Sequence, residues 1–323
     1  MSNTTSRFTW CASCVETFIE VSKKIFEVSL ISKALVKSTV KELLKLASVE
    51  LPSDVKKALM DAYEREVEAV PKMQLKAILD NIGLAEKTGI PMCQDTGIHI
   101  VYVKLGDVEV EGLEDAIKEG VAEATATIPL RPNAVHPISR KNPGTNVGLN
   151  MPYIHVERIY GSFLEITVLP KGFGAENMSA LAMLTPADGL KGVKEFILQT
   201  VVKAGGKPCP PGILGIGIGG TADVAMKLAK EALLRPLGSR NPDPEVARLE
   251  EELLEALNSL GIGPMGLGGK TTLLGVNIEV AYTHTAGLPV AVNYQCWAAR
   301  RASAKIYPDG RVEYTSHKKI EGS

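Results

Sequence analysis

Apolar residues recur at three- and four-residue intervals along several stretches of the chain, and this period places helices. Val36, Val40, Leu43, Leu44 and Ala47 fall on one helical face. After Pro52, the Ser53-Asp54 pair is a start signal for a second helix through Val67, and residues 73–87 read as a third. From Ile98 the period changes to two, with Ile98, Ile100 and Tyr102 alternating with His99, Val101 and Val103, which predicts a strand ending near Gly106. Further strands are predicted over 163–169, 274–282 and 288–294, and a hairpin over 304–315 turning on Pro308-Asp309-Gly310. Helices return over 113–126, 189–204, 222–234 and 244–259. The last has Asp243 as its cap and Pro244 at its first position, both suited to the free N–H groups there. Residues 1–29 are more weakly punctuated and read as an N-terminal extension or extra helix, with 30–323 as one domain. Strands and helices interleave without a βαβ rhythm or an internal repeat. The expected architecture is a helix-rich, mixed α+β fold with small sheets.

Composition narrows the function classes. The 323 residues are 45% hydrophobic and 23% charged, which excludes a disordered or collagen-like chain and predicts a sizeable core. Lys plus Arg number 36 against 37 Asp plus Glu, so a net charge of -1 gives no electrostatic reason to expect nucleic-acid or membrane-surface binding. The longest uncharged window, between Glu279 and Arg300, carries Thr283, His284, Pro289, Asn293 and Gln295 and does not read as a membrane span. Glu16 interrupts the apolar stretch after Arg7 and no small-residue cleavage site follows, so no secretory signal is expected and the chain is placed in the cytoplasm. Five scattered cysteines do not form a disulfide framework, which leaves reduced thiols that can serve as metal ligands.

Three of those cysteines sit in loops rich in Gly, Pro and polar residues, where sites concentrate. Cys93 lies in the segment 89–97 (GIPMCQDTG), Cys209 in 207–212 (KPCPPG) and Cys296 in 293–297 (NYQCW). They are far apart in sequence, so only the fold could bring them together. Proline flanks two of them, which predicts extended backbone and a thiol clear of helix packing. The competing reading is three small core residues, since free Cys is among the most buried types. Their neighbours favour chemistry. Asp95 follows Cys93 by two residues, and Arg131 sits in an apolar turn (128–133, IPLRPN) where a buried guanidinium would need an anion. The segment 171–177 (KGFGAEN) follows a strand and opens toward a helix, so its backbone N–H groups could cradle a carboxylate. His284 lies just upstream of Cys296, whereas His99, His136 and His155 have no comparable surroundings and read as structural. Gly215–Gly220 resembles a dinucleotide loop and Gly266–Thr271 the end of a phosphate loop, but each lacks a required partner position, and both read as tight backbone turns near the site. Cys11 and Cys14 have no second pair at finger spacing and read as incidental.

Taken together, GIPMCQDTG, the LRPN turn, KGFGAEN, KPCPPGILGIGIGGTAD, GPMGLGGKTT and HTAGLPVAVNYQCW resemble the N-terminal, or α, part of the class I fumarate hydratase family, a part shared with the α subunit of L-tartrate dehydratase. The resemblance covers roughly residues 35 to 315, with six motifs in the family's order. It implies the N-terminal-domain fold of that family, a 4Fe-4S cluster held by Cys93, Cys209 and Cys296, and hydration of fumarate to L-malate, a reaction of the tricarboxylic acid cycle. Three thiolates leave one iron open, and an open iron is a Lewis acid. It also implies that Gln94, Asp95, Arg131, Gly174 and His284 contact a small dicarboxylate. Arg131 would offer a planar fork to the distal carboxylate, with Gln94 and the Gly174 amide orienting it. Asp95 would exchange the proton of the hydroxyl that is added or lost, and His284 would reach substrate across a subunit boundary.

Fused members of the family carry a second domain that this sequence does not show. A separate β subunit is therefore expected, with association to a heterotetramer. Two alternatives stand beside the fumarase reading. One is an L-tartrate dehydratase α subunit, and the other, from another class, is a 4Fe-4S electron-transfer or iron-sensing protein.

Overall fold

A computed structural model describes residues 30–317. The cysteine pair at 11 and 14 and the extension over 1–29 lie outside the described residues. The chain opens with a short strand, β1 (Leu30–Ile31), then three helices: α1 (Lys33–Val49), α2 (Ser53–Arg65) and α3 (Ala69–Thr88). Ser32 caps α1 by accepting the Leu35 N–H. The third helix begins four residues before the periodicity marks it, because Pro71 falls in the first turn, where no N–H is needed. Strands β2 (Ile98–Leu105) and β3 (Glu109–Val110) lead to α4 (Leu113–Thr127), and β4 (Tyr153–Arg158) and β5 (Leu164–Lys171) follow. A one-turn helix, α5 (Phe173–Glu176), separates β5 from β6 (Ala180–Leu184).

The second half runs through α6 (Gly189–Ala204), β7 (Gly212–Ile218), α7 (Ala222–Ala232), α8 (Pro244–Asn258), β8 (Leu273–Val280), β9 (Leu288–Gln295) and the hairpin β10 (Ala302–Ile306) and β11 (Val312–Tyr314). Asp243 caps α8 through the Glu245 and Val246 amides, an arrangement worth about 1 kcal/mol. The fold is mixed α+β, as expected. One five-stranded sheet has the order β11-β10-β5-β2-β4 and a four-stranded sheet the order β6-β9-β7-β8. Each combines a parallel pair (β2 with β4, β7 with β8) with antiparallel neighbours.

Each sheet carries its own core. Val101 and Val103 of β2 and Leu164, Ile166 and Val168 of β5 pack on Val36, Val40, Leu43 and Leu44 of α1 and on Ile117 and Val121 of α4. Leu214 and Ile216 of β7, with Val276 and Ile278 of β8, pack on Ile197 of α6 and Leu253 and Leu257 of α8. A third, smaller cluster joins α2 and α3 to Ile213, Trp297 and Ala298, and the three loop cysteines border it.

One expectation needs correction here. Gly215–Gly220 is not a turn over its whole length, because Gly212–Ile218 is a buried strand in the middle of the sheet. A side chain at Gly215 or Gly217 would strike the backbone of α7, with a Cβ only 2.1 Å from the Ala229 carbonyl oxygen and 2.0 Å from that of Ala225. Glycine lets α7 lie directly on the strand. Only Gly219 and Gly220, with φ of 93° and 68°, form the turn. Gly266–Thr271 does form turns. Its Lys270 N–H is held at 2.7 Å by the buried Glu66 carboxylate, and the nearby Met265 N–H bonds to the Pro210 carbonyl at 2.8 Å, backing the Cys209 loop.

Candidate active site

The antiparallel pairing of β7 with β9 opposes Ile213 to Gln295, so the entry to β7 and the exit of β9 lie at one end of the sheet. This places Cys209 beside Cys296, and the Trp297 N–H donates to the Cys209 carbonyl at 3.1 Å. Cys93 arrives from the loop between α3 and β2. That loop is fixed by the Met92 N–H donating to the Ser48 carbonyl at 3.0 Å and by the Asn81 amide donating to the Met92 carbonyl at 2.7 Å. All three thiols are half-buried in one apolar cluster. Burial pushes the Cys209 thiol up, and the neighbouring charges of Cys296, Cys93 and Asp95 push in the same direction. Burial also raises Cys296, but there Arg300 and Lys171 pull the other way. Among the described residues, no three His, Cys, Asp or Glu side chains gather tightly enough for a single metal ion.

Cys209 departs from the extended backbone that its flanking prolines predict. Its φ is 55°, in the left-handed region, with its N–H donating to the Gly206 carbonyl at 3.1 Å. A proline after a residue disfavours right-handed helical geometry at that residue, and the hydrogen bonds on both sides of the thiol select the left-handed alternative. Such conformations cost of order 1–3 kcal/mol and collect at functional sites.

The Asp95 carboxylate ties three segments together. Its Oδ1 accepts the Gly97 N–H at 2.9 Å and lies 3.4 Å from the Asn133 amide, while Oδ2 accepts the Phe173 N–H at 2.8 Å. The carboxylate foreseen in the KGFGAEN cradle is thus one of the chain's own. Gly97 has a φ of 80°, and a Cβ there would lie 2.7 Å from the Lys171 nitrogen, so only glycine lets the Asp95 loop lie against β5. Arg131 is pinned beside this loop through its backbone, with its N–H donating to the Thr96 hydroxyl at 3.0 Å. Its side chain is exposed, not buried as the apolar turn suggested, because Ile128 and Leu130 take the inward positions. Gln94 and Gly174 are exposed at the same end, Gly174 standing 3.7 Å (from its ideal Cβ) from the Lys207 carbonyl oxygen.

His284 is not brought to this group within the chain. It precedes β9 while Cys296 follows it, and a strand of this length separates its ends by ~25 Å. The ring is exposed, its Nδ1 accepting the Ala286 N–H at 3.1 Å.

Sequence reasoning passed over three residues that the fold brings in: Arg300, the Lys171 side chain, and Asn133, whose amide reaches both Asp95 and the Gly97 carbonyl. For Arg300 the available signal was an Arg-Arg pair closing the long uncharged window after Glu279.

His99, read as structural, is 1% exposed and both ring nitrogens lack partners. Burial, followed by the charge of Arg300, lowers its pKa to about 4. Because the unfolded ring titrates near 6.5, the unfolded state holds more protons between these values. The stability is therefore present above pH 6.5 and is lost as pH falls through about 4, by up to ~3 kcal/mol. In urea titrations, wild type should lose stability relative to His99→Leu as pH drops from 7 to 4.5. A difference that stays constant across that range contradicts this role.

The comparisons with known proteins agree on one family. The description "Fumarate hydratase (Fumerase)" matches residues 37–305. The chain is 54% identical over 283 residues to the "Putative L(+)-tartrate dehydratase subunit alpha" of Methanocaldococcus jannaschii, covering 86% of this chain and 99% of that protein. It is 36% identical over 275 residues to the L(+)-tartrate dehydratase subunit alpha of Escherichia coli K12 and to that of Shigella sonnei, covering 84% of this chain and 91% of each relative. Matched along nearly the whole length of these relatives, the chain belongs to the fumarate hydratase family of hydro-lyases.

Proposed function

We propose that this chain is the α subunit of an iron-sulfur hydro-lyase that interconverts fumarate and L-malate in the cytoplasm, with Cys93, Cys209 and Cys296 holding a 4Fe-4S cluster. The observation that carries the reading is the meeting of three thiols, from loops remote in sequence, beside Asp95, Arg131 and Gly174. The residues fit such a group. The three thiols are half-buried and border one apolar cluster, and thiolates are the ligands that iron-sulfur groups take. When bound, the cluster supplies a Lewis-acidic iron, since three thiolates leave one of four irons without a protein ligand.

The chain's own residues then divide the work. The exposed Arg131 guanidinium pairs with a substrate carboxylate, in the planar fork geometry that suits it. Gln94 and the Gly174 amide orient that carboxylate. Asp95 is held rigidly by the Gly97 and Phe173 amides and the Asn133 side chain, and its Oδ2, which accepts only the Phe173 N–H, keeps a second lone pair for proton exchange with the substrate hydroxyl. His284 serves the site of a second α chain, which makes the active unit a heterotetramer with two β subunits. The names of the relatives favour a second reading, L(+)-tartrate as substrate. A purified αβ complex assayed anaerobically with fumarate, L-malate and L(+)-tartrate separates the two, and no turnover of any of them contradicts both.

In that complex, Asp95→Asn should lower turnover by ~10²–10⁴ while iron and sulfide stay bound, the range for a positioned proton-transfer group. Arg131→Lys should raise KM more than it lowers cluster content, because an ammonium cannot make the bidentate contact. Wild-type kinetics in both variants would remove these residues from the site.

A further inference from the structure

Two buried cations have no task in this scheme. Lys171, the last residue of β5, has a fully buried side chain. Its Nζ stands 3.3 Å from Glu176 Oε2 but makes no hydrogen bond. Glu176 is already engaged, with Lys230 Nζ at 2.6 Å from Oε1 and the Asn293 amide 3.1 Å from Oε2. Arg300, 1% exposed, donates from Nη1 to the Asp95 carbonyl at 2.7 Å, and its Nε has no partner. Both lie beside the Cys296 segment: Arg300 follows Cys296 by four residues, and its Nη2 comes within 3.2 Å of where a Cβ on Gly172, the residue after Lys171, would stand.

The buried charges do not balance. Lys171 and Arg300 are sealed from water, whereas Glu176 is shared with Lys230, the two being 21% and 20% exposed, and Asp95 is only half-buried, so the sealed cations outnumber the carboxylates left to them. A buried charge without a counterion costs several kcal/mol, so the surplus calls for an anion. Substrate cannot supply it, because Lys171 is sealed from solvent, whereas Arg131 is the cation exposed to substrate. His99 cannot supply it either, being a neutral ring beside Arg300. The remaining anion on this side is the Cys296 thiolate with whatever it binds.

Resting on the cluster reading above, we propose that Lys171 and Arg300 are positioning residues that supply the positive charge compensating an anionic iron-sulfur group at Cys296, holding it in place and making it easier to reduce. The polar partners around a metal site commonly govern its retention, and losing one weakens metal affinity about 10–100-fold.

The test uses Lys171→Met, which keeps the shape of the side chain and removes its charge. Wild type and variant are reconstituted anaerobically with iron and sulfide, then compared by iron loss to a chelator, by the midpoint potential of the cluster, and by thermal unfolding of the metal-free forms. The variant should lose iron about 10–100-fold faster, its midpoint should move to a more negative value, and its metal-free form should be as stable as wild type or more so. A purely structural ion pair with Glu176 predicts the reverse, with a destabilised metal-free form and an unmoved midpoint, and that result overturns the proposal. If Lys171→Met does not fold, Arg300→Met and Arg300→Lys read the same quantity, and only the charge-keeping variant should hold the cluster like wild type. Wild type that takes up no iron and sulfide refutes the cluster reading itself. Wild type that takes them up, with variants matching it in iron loss and midpoint, refutes this inference alone.

Discussion

Changing any one of Cys93, Cys209 and Cys296 to serine should abolish cluster binding in anaerobically reconstituted protein, from about four irons per chain to none retained through gel filtration. Serine is nearly the size of cysteine, so the cores survive, but its hydroxyl does not ionise to a soft ligand at neutral pH. With three ligands there is no spare, and loss of one leaves a two-point attachment. Cys209 should be the least forgiving, because its left-handed backbone and its hydrogen bonds to Gly206 and Trp297 aim that one thiol. The Cys11→Ser/Cys14→Ser double variant should keep a full cluster. Undiminished iron and sulfide in any of the three single variants would remove that cysteine from the ligand set.

The second large effect concerns the partner. On the proposed reading, forming or breaking the carbon–hydrogen bond needs a proton carrier at carbon on the face away from the cluster, and none of the residues assigned around Asp95 and Arg131 has that role. The relatives are named as α subunits, which points to a β subunit, and on the proposed reading that subunit supplies the proton carrier at carbon. The purified chain should therefore fold and bind its cluster yet hydrate fumarate at least ~10²-fold more slowly than the αβ complex, the loss expected for a missing general base. Adding the β subunit should restore turnover and bury an interface of more than about 2,000 Å², as obligate complexes do. Full activity from chain shown by mass spectrometry to be free of other polypeptides would place the missing base among these 323 residues.

Helices were legible because each buries one stripe of a regular period. The four that follow β3 and exceed one turn lie within two residues of their expected limits. Strand β7 was not legible, because its G-x-G spacing reads equally as a dinucleotide-loop turn and the role of Gly215 and Gly217 depends on α7 packing over them. Strands β4 and β6 were missed for another reason. They lie at sheet edges with exposed residues such as Tyr153 and Met183, where burial imposes little pattern. At the site, loop glycines and prolines set off Cys93, Asp95 and Cys209, whereas Cys296, with no glycine or proline in NYQCW, was singled out through its motif and its place after His284. Exposure was harder to read, and Arg131 in its apolar turn points outward while Lys171, between Pro170 and Gly172, is sealed. Side-chain direction at a loop or strand end depends on tertiary neighbours that no local period records.

The central claim is that this chain presents an iron with an open position to a dicarboxylate. Mössbauer spectroscopy of the anaerobically reconstituted αβ complex, labelled with iron-57 and recorded with and without L-malate or L(+)-tartrate, tests it most directly. The account predicts that one iron in four shifts when a substrate is added while the other three stay unchanged. Four equivalent irons that ignore both substrates would contradict it and would mark a fully ligated electron carrier.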